Sequence, residues 1–113
     1  MKETMKPLIL TLLLAATSAH AEFVTGNKLF ENMASTDATR RTFALAYVAG
    51  VHDAGRGILH CSPESITVGQ VNDMTKQLLE RLPAERHLSA DQFVIGVLQE
   101  AYPCAQKPAG RGT

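Results

Sequence analysis

Between Cys61 and Cys104 lie two segments, Ile66-Thr67-Val68-Gly69-Gln70-Val71 and Leu88-Ser89-Ala90-Asp91-Gln92-Phe93, that open in the same way. Thr67 and Ser89 are residues whose hydroxyls accept from the free N–H groups of a helix start. A Gln three residues on can reach back to the cap's own N–H, completing a capping box. Ile66 and Leu88, just before the caps, are placed to staple onto Val71 and Phe93. Two such starts, each followed by apolar residues at helical spacing, predict helices over about Val68–Arg81 and Ala90–Tyr102. Pro83 and Pro103 end them, since neither can continue a helix. Each helix is ~20 Å long, and antiparallel packing of two equal helices sets the start of one beside the end of the other. That brings Cys61 next to Cys104, so the stretch reads as a helical hairpin closed at its open end by a disulfide.

The expected buried side of the first of these helices is Val68, Val71, Met74, Leu78 and Leu82, with Asp73, Lys76, Gln77 and Glu80 facing water. The second carries Phe93, Val94, Ile95, Val97, Leu98, Ala101 and Tyr102, leaving only a narrow polar strip, and is expected to be the most buried helix. Upstream, Gly26–Met33 reads as a two-turn helix with Leu29, Phe30 and Met33 on one side, too short to stand without packing. Ser35-Thr36-Asp37 offers N-caps for a longer helix over about Ala38–Gly57. Its apolar positions are Phe43, Tyr47, Val48, Val51, Ala54 and Ile58. Ala46, Gly50 and Ala54 form a second stripe of small residues, read as a place of close helix approach. No alternating run bounded by turn signals suggests a strand. The fold class is all-α: a small bundle of about four helices with one intramolecular disulfide.

The N-terminus has the grammar of an export signal. Lys2 and Lys6 precede the apolar run Leu8–Ala16, and Ala19-His20-Ala21 supplies small residues at a cleavage site. The run is shorter than the ~20 residues that span a bilayer, so residues 1–21 read as a signal peptide cleaved after Ala21 rather than as an anchor. The domain is then 22–104, followed by a Pro-, Gly- and Lys/Arg-containing tail over 105–113, expected to be disordered. The mature chain holds nine basic and ten acidic residues, a balance that argues against nucleic acid or an anionic membrane as the main partner. Export favours the disulfide over free or intermolecular thiols. A zinc site from Cys61, His60 and Cys104 lacks the closely paired ligands such sites show.

Catalytic signatures are missing. The chain has no HExxH, no glycine-rich phosphate loop and no GxSxG. His52 and Asp53 are helix neighbours whose side chains diverge, which reads as two separate polar residues, with Asp53 and Arg56 as an exposed pair. His60 beside a disulfide cysteine is not an activator of a thiol nucleophile. We expect no enzyme, no cofactor and no metal. The connector Glu85-Arg86-His87, at the hairpin tip away from the disulfide, is a charged loop on two capped helices and a candidate recognition element; a solvated turn is the plainer reading.

An ordered series of motifs resembles a known family. Gly26-Asn27-x-Leu29, Tyr47-Val48-x-Gly50-Val51-x-Asp53 and Cys61-x-Pro63 match its first half. Thr67-x-Gly69-Gln70-Val71, Pro83-x-Glu85-Arg86-His87 and Ala101-Tyr102-Pro103-Cys104 match its second. Over Gly26–Cys104 the chain resembles the Rap/Tai immunity proteins of type VI secretion systems. The resemblance implies an all-α periplasmic protein that binds a peptidoglycan-cleaving amidase effector and blocks it, protecting the producing cell. It also implies a possible homodimer and a projecting loop that enters the amidase groove; by position that loop is Pro83–Ser89, with Glu85, Arg86 and His87 as contacts. One departure stands out. Many members carry a further cysteine late in the first helix and another early in the second, where this chain has Met33-Ala34 and Phe43-Ala44-Leu45-Ala46. An alternative reading is a small periplasmic chaperone or envelope-stress protein, in which His52, His60 and His87 would sense acid.

Overall fold

The computed structural model describes residues 23–105. The signal peptide read over 1–21, and all but the first residue of the tail, lie outside the described residues. The rest is the four-helix, all-α arrangement expected: α1 Gly26–Ala34, α2 Ala38–Gly55, α3 Val68–Arg81 and α4 Ala90–Ala101, with a 3-10 turn at Pro83–Glu85. Among the described residues the only extended pairings are isolated bridges, Thr25 with Ser89 and Arg56 with His60. Cys61 and Cys104 are joined by the expected disulfide, their Cα atoms 4.8 Å apart.

Three of the four helix starts are capped by their own sequence. Thr25 accepts from the Lys28 N–H at 3.1 Å and Asp37 from the Thr39 N–H at 2.9 Å. At α3 the capping box forms with both arms: the Gln70 N–H donates to Thr67 Oγ1 at 3.1 Å, and the Thr67 N–H to Gln70 Oε1 at 2.8 Å. The second box, expected at Ser89 and Gln92, does not form. Ser89 turns its hydroxyl to the Asp91 carboxylate instead, and α4 has no side-chain cap from Ser89. Its first N–H, that of Ala90, donates at 2.9 Å to the carbonyl of Val24. The entry segment runs past this helix end and supplies a backbone acceptor to a first-turn N–H that has no partner within its own helix. Tyr47 of α2 lies at the same end: burial first, then the Asp91 carboxylate, raise its hydroxyl above the ordinary tyrosine pKa, while the Asp91 N–H facing it pulls the other way.

The core is centred on α4, whose Ala90, Phe93, Val94, Val97 and Leu98 are buried, as its apolar sequence predicts. Leu29, Met33, Ala44, Val48, Val71 and Leu79 meet it from the other helices. In α3 the buried line is Val71, Thr75 and Leu79. Met74, Leu78 and Leu82 pack at its margin, whereas Val68 is 41% exposed. Thr75 is tolerated at zero exposure because its hydroxyl donates to the Val71 carbonyl at 2.9 Å.

α2 is rotated from the expected setting. Its inward line is Ala44, Val48, Val51 and Gly55, while Phe43 and Ile58 are 54% and 78% exposed. The small stripe Ala46, Gly50 and Ala54 faces outward, and a methyl group placed on Gly50 would meet nothing within 4 Å. The close approaches lie elsewhere. A Cβ on Gly55 would come within 3.2 Å of Ile95 Cδ1, and one on Gly26 within 2.8 Å of Phe93 and 2.9 Å of the Arg86 carbonyl. α2 also stops two residues earlier than expected. The Gly55 carbonyl takes the N–H groups of Ile58, Leu59 and His60, and Gly57 adopts a φ of 82°, a turn that carries Ile58 out of the helix.

Candidate functional site

The hairpin has two ends, and each holds residues singled out in the sequence. At the connector end the chain passes from α3 through the 3-10 turn to Ser89. Glu85 and His87 are exposed there, but Arg86 is only partly so. Its guanidinium lies over the Phe30 ring, 4.3 Å from the centroid, a cation–π contact with α1. The backbone beneath it is tied down as well. The Asn27 N–H donates to the Arg86 carbonyl at 2.7 Å and the Gly26 N–H to the Leu88 carbonyl at 2.8 Å. First-turn N–H groups have no partner within their own helix, so α1 uses the connector as its acceptor. The loop is therefore docked onto α1 by Arg86 and presents Glu85 and His87. His87 is itself oriented, its Nδ1 3.2 Å from the Ala84 carbonyl.

At the disulfide end the polar residues converge in a way their sequence spacing does not announce. His52 Nδ1 lies 2.9 Å from Asp53 Oδ1, and His52 Nε2 lies 2.8 Å from Ser62 Oγ. The two neighbours do pair: the Asp53 carboxylate swings along the helix surface to meet a ring that Ser62 holds from the other side. His60, fully buried, points Nε2 at the His52 carbonyl, 3.0 Å away. A carbonyl only accepts, so Nε2 carries the proton. Nδ1 is then free to accept from the Ser62 N–H, 3.4 Å away. The two imidazoles sit 4.9 Å apart, centroid to centroid. Arg56 turns from its expected partner Asp53 toward Glu64, 3.9 Å away, and toward the Ser62 carbonyl.

Asp53, His52 and Ser62 thus have the connectivity of a hydrolytic triad with the burial inverted. The Asp53 side chain is 78% exposed, whereas Ser62 is 4% exposed. A triad needs a buried carboxylate to orient the imidazole and a serine open to a substrate carbonyl. What this network does is hold the segment from Arg56 to Ser62 against α2. Beside it, a cavity of about 140 Å³ between α2 and α3 is lined by Val48, His52, Asp53, Ile66 and Val71 among others. Among the described residues no group of three or more His, Cys, Asp and Glu is arranged to hold a metal ion. No described helix is long and apolar enough to cross a membrane.

A rigid, disulfide-closed helical hairpin with ordered loops at both ends suits a protein that binds another protein through a preformed surface. Comparison with known families agrees: the family model described as Rap1a immunity proteins matches residues 25–104. The chain belongs to the Rap1a immunity protein family. Membership covers the whole described bundle, from the Thr25 cap to the second disulfide cysteine. It implies an immunity role exercised by binding a protein effector. No curated protein matches the chain.

The polar network and the α1 latch were not anticipated from the sequence. His52 and Ser62 are ten residues apart, with no motif linking them. The latch joins Gly26 and Asn27 to a loop about sixty residues away through backbone atoms that leave no side-chain signature. One sequence signal could have pointed to it: a glycine directly after a capping threonine.

Proposed function

We propose that this protein is exported to the periplasm, binds a peptidoglycan-cleaving amidase delivered by a type VI secretion system, and blocks it. The observation that carries the reading is the family match across residues 25–104. The intramolecular disulfide supports an oxidising compartment. In this reading Glu85 and His87 are polar contacts to the effector, and Arg86, stacked on Phe30, positions them. Recognition by a loop already ordered in the free protein limits the entropy lost on binding.

The test is to mix the mature protein with the amidase encoded beside its gene and follow peptidoglycan hydrolysis and complex formation. A stable complex and loss of hydrolysis are expected. Continued hydrolysis with no complex overturns the reading. Within a complex that does form, Glu85→Ala with His87→Ala is expected to weaken binding by about tenfold or more; unaltered affinity removes the connector from the interface.

A further inference from the structure

Among the described histidines only His60 is fully buried, and both of its ring nitrogens are spent on backbone. Its Nε2–H donates at 3.0 Å to the carbonyl of His52, one of the four carbonyls at the end of α2 that have no partner within the helix. Its Nδ1 accepts from the Ser62 N–H, 3.4 Å away, and Ser62 is only 4% exposed. The ring thus caps α2 and also holds the chain beyond the turn. It can do both only while neutral, because a charged imidazole has no acceptor left.

His52, with its ring centroid 4.9 Å away, is held differently. A carboxylate only accepts, so His52 Nδ1 donates to Asp53 Oδ1 at 2.9 Å, and Nε2 accepts from the Ser62 hydroxyl at 2.8 Å. A proton added at Nε2 reverses that second bond, since a hydroxyl can turn from donor to acceptor, and the cation rests against Asp53. A proton added at His60 Nδ1 has no such outlet. It meets a backbone N–H that cannot turn, in a place closed to water, and a charged His52 repels it.

The surrounding charges give no relief. On α2, Asp53 is taken by His52, while Arg56 reaches toward Glu64 of the following loop and the Ser62 carbonyl. The first turn of α3, Val68–Val71, carries no titratable side chain. At the end of α4 stand Glu100 and Tyr102. Among the described residues no carboxylate is bonded to the His60 ring, whose partners are the His52 carbonyl and the Ser62 N–H.

We propose that His60, with His52 beside it, is an acid-sensitive clasp on the turn between α2 and α3. One proton is taken up at His52 with the turn closed. A second, on His60, frees the segment from Arg56 to Ser62 from α2, while the Cys61–Cys104 bond keeps it attached. The open form binds a proton that the closed form excludes. Closure is therefore at full strength above the range where an imidazole in water titrates, at about pH 6.5, and weakens as the pH falls through it. No effector enters the argument, so it stands or falls apart from the immunity reading.

Urea unfolding of the mature, oxidised chain from about pH 7.5 to about pH 5.5 tests the clasp. The comparison is with His60→Gln, whose amide still donates to the His52 carbonyl but does not titrate. Below the imidazole range the folding constant of the wild type is expected to fall more steeply than that of the variant, by up to about tenfold per pH unit. Equal slopes overturn the clasp. Should the variant fail to fold, the wild type alone decides by nitrogen NMR of its imidazoles. His60 is expected to keep its Nε2–H form until the Ser62 amide signal moves. A His60 ring that takes up a proton while that amide signal stays in place overturns the proposal.

Discussion

The two ends of the α3–α4 hairpin are held by opposite means. At the disulfide end most ties are covalent or local: the Cys61–Cys104 bond, the Thr67–Gln70 capping box and the three N–H groups gathered by the Gly55 carbonyl, joined by the His52–Ser62 contact and one long-range backbone bond from the Cys61 N–H to the Tyr102 carbonyl. At the connector end they are long-range and made largely by backbone. Gly26 and Asn27 donate to the connector, Ala90 donates to Val24, and the Arg86 side chain covers Phe30. A local tie forms as soon as its own turn forms. A long-range tie exists only when α1 is in place, so the connector's shape depends on the whole bundle, whereas α3 starts on its own authority.

Breaking the disulfide tests that contrast most severely. The cysteines are 43 residues apart, and closing a loop of that length stabilises by about 4 kcal/mol in the chain-entropy model. Cys61→Ala with Cys104→Ala is expected to lower unfolding free energy in urea by about that amount; a loss near zero would show that backbone packing alone secures this end. At the other end, Gly26→Ala pushes a methyl group against Phe93 and the Arg86 carbonyl, and the carbonyl is fixed backbone. About 1–3 kcal/mol of destabilisation is expected, with amide exchange in residues 83–89 accelerating along with it. A loss of stability without faster exchange there would separate α1 from the connector. The smallest effect distinguishes the two helix starts. Thr67→Ala removes a formed cap and is expected to cost about 1 kcal/mol, while Ser89→Ala, whose hydroxyl caps nothing, should change the urea midpoint far less. Equal costs would mean that α4 also depends on its own cap.

Much of this architecture was legible in advance because it arises from contacts within one helical turn. The boundaries of α3, the chain's strongest cap, the burial of α4 and the cysteine pairing all follow from residues three or four apart, or from helix lengths. The misread features share another property. Phe43 and Ile58 are apolar at plausible core positions, yet Ala44, Val48 and Gly55 take the inward places, and at Gly55 the helix lies so close to Ile95 and His60 that a larger residue would crowd them. Gly50 looked like a contact glycine and faces open space. Spacing reveals that a helix has an apolar side, but among several nearly equivalent sides the neighbours choose.

The candidate site divides along the same line. The charged connector could be named from the sequence, but its division of labour, with Arg86 docked on Phe30 while Glu85 and His87 remain outside, could not. Ile58 reads in the sequence as part of the apolar line of α2 and is exposed, because an apolar residue in register with a helix carries no sign that the helix has already ended.

Taken alone, the sequence determined four helices, an antiparallel hairpin and the single disulfide that closes it, since each depends on short-range propensity or on counting residues along a helix axis. The tertiary structure alone decided which face of α2 turns inward, which acceptor serves the first turn of α4, and that His52, His60 and Ser62 meet in one hydrogen-bonded network. Those outcomes belong to atoms brought together across ten to sixty residues, where close packing and the need to satisfy buried N–H groups outweigh any local preference.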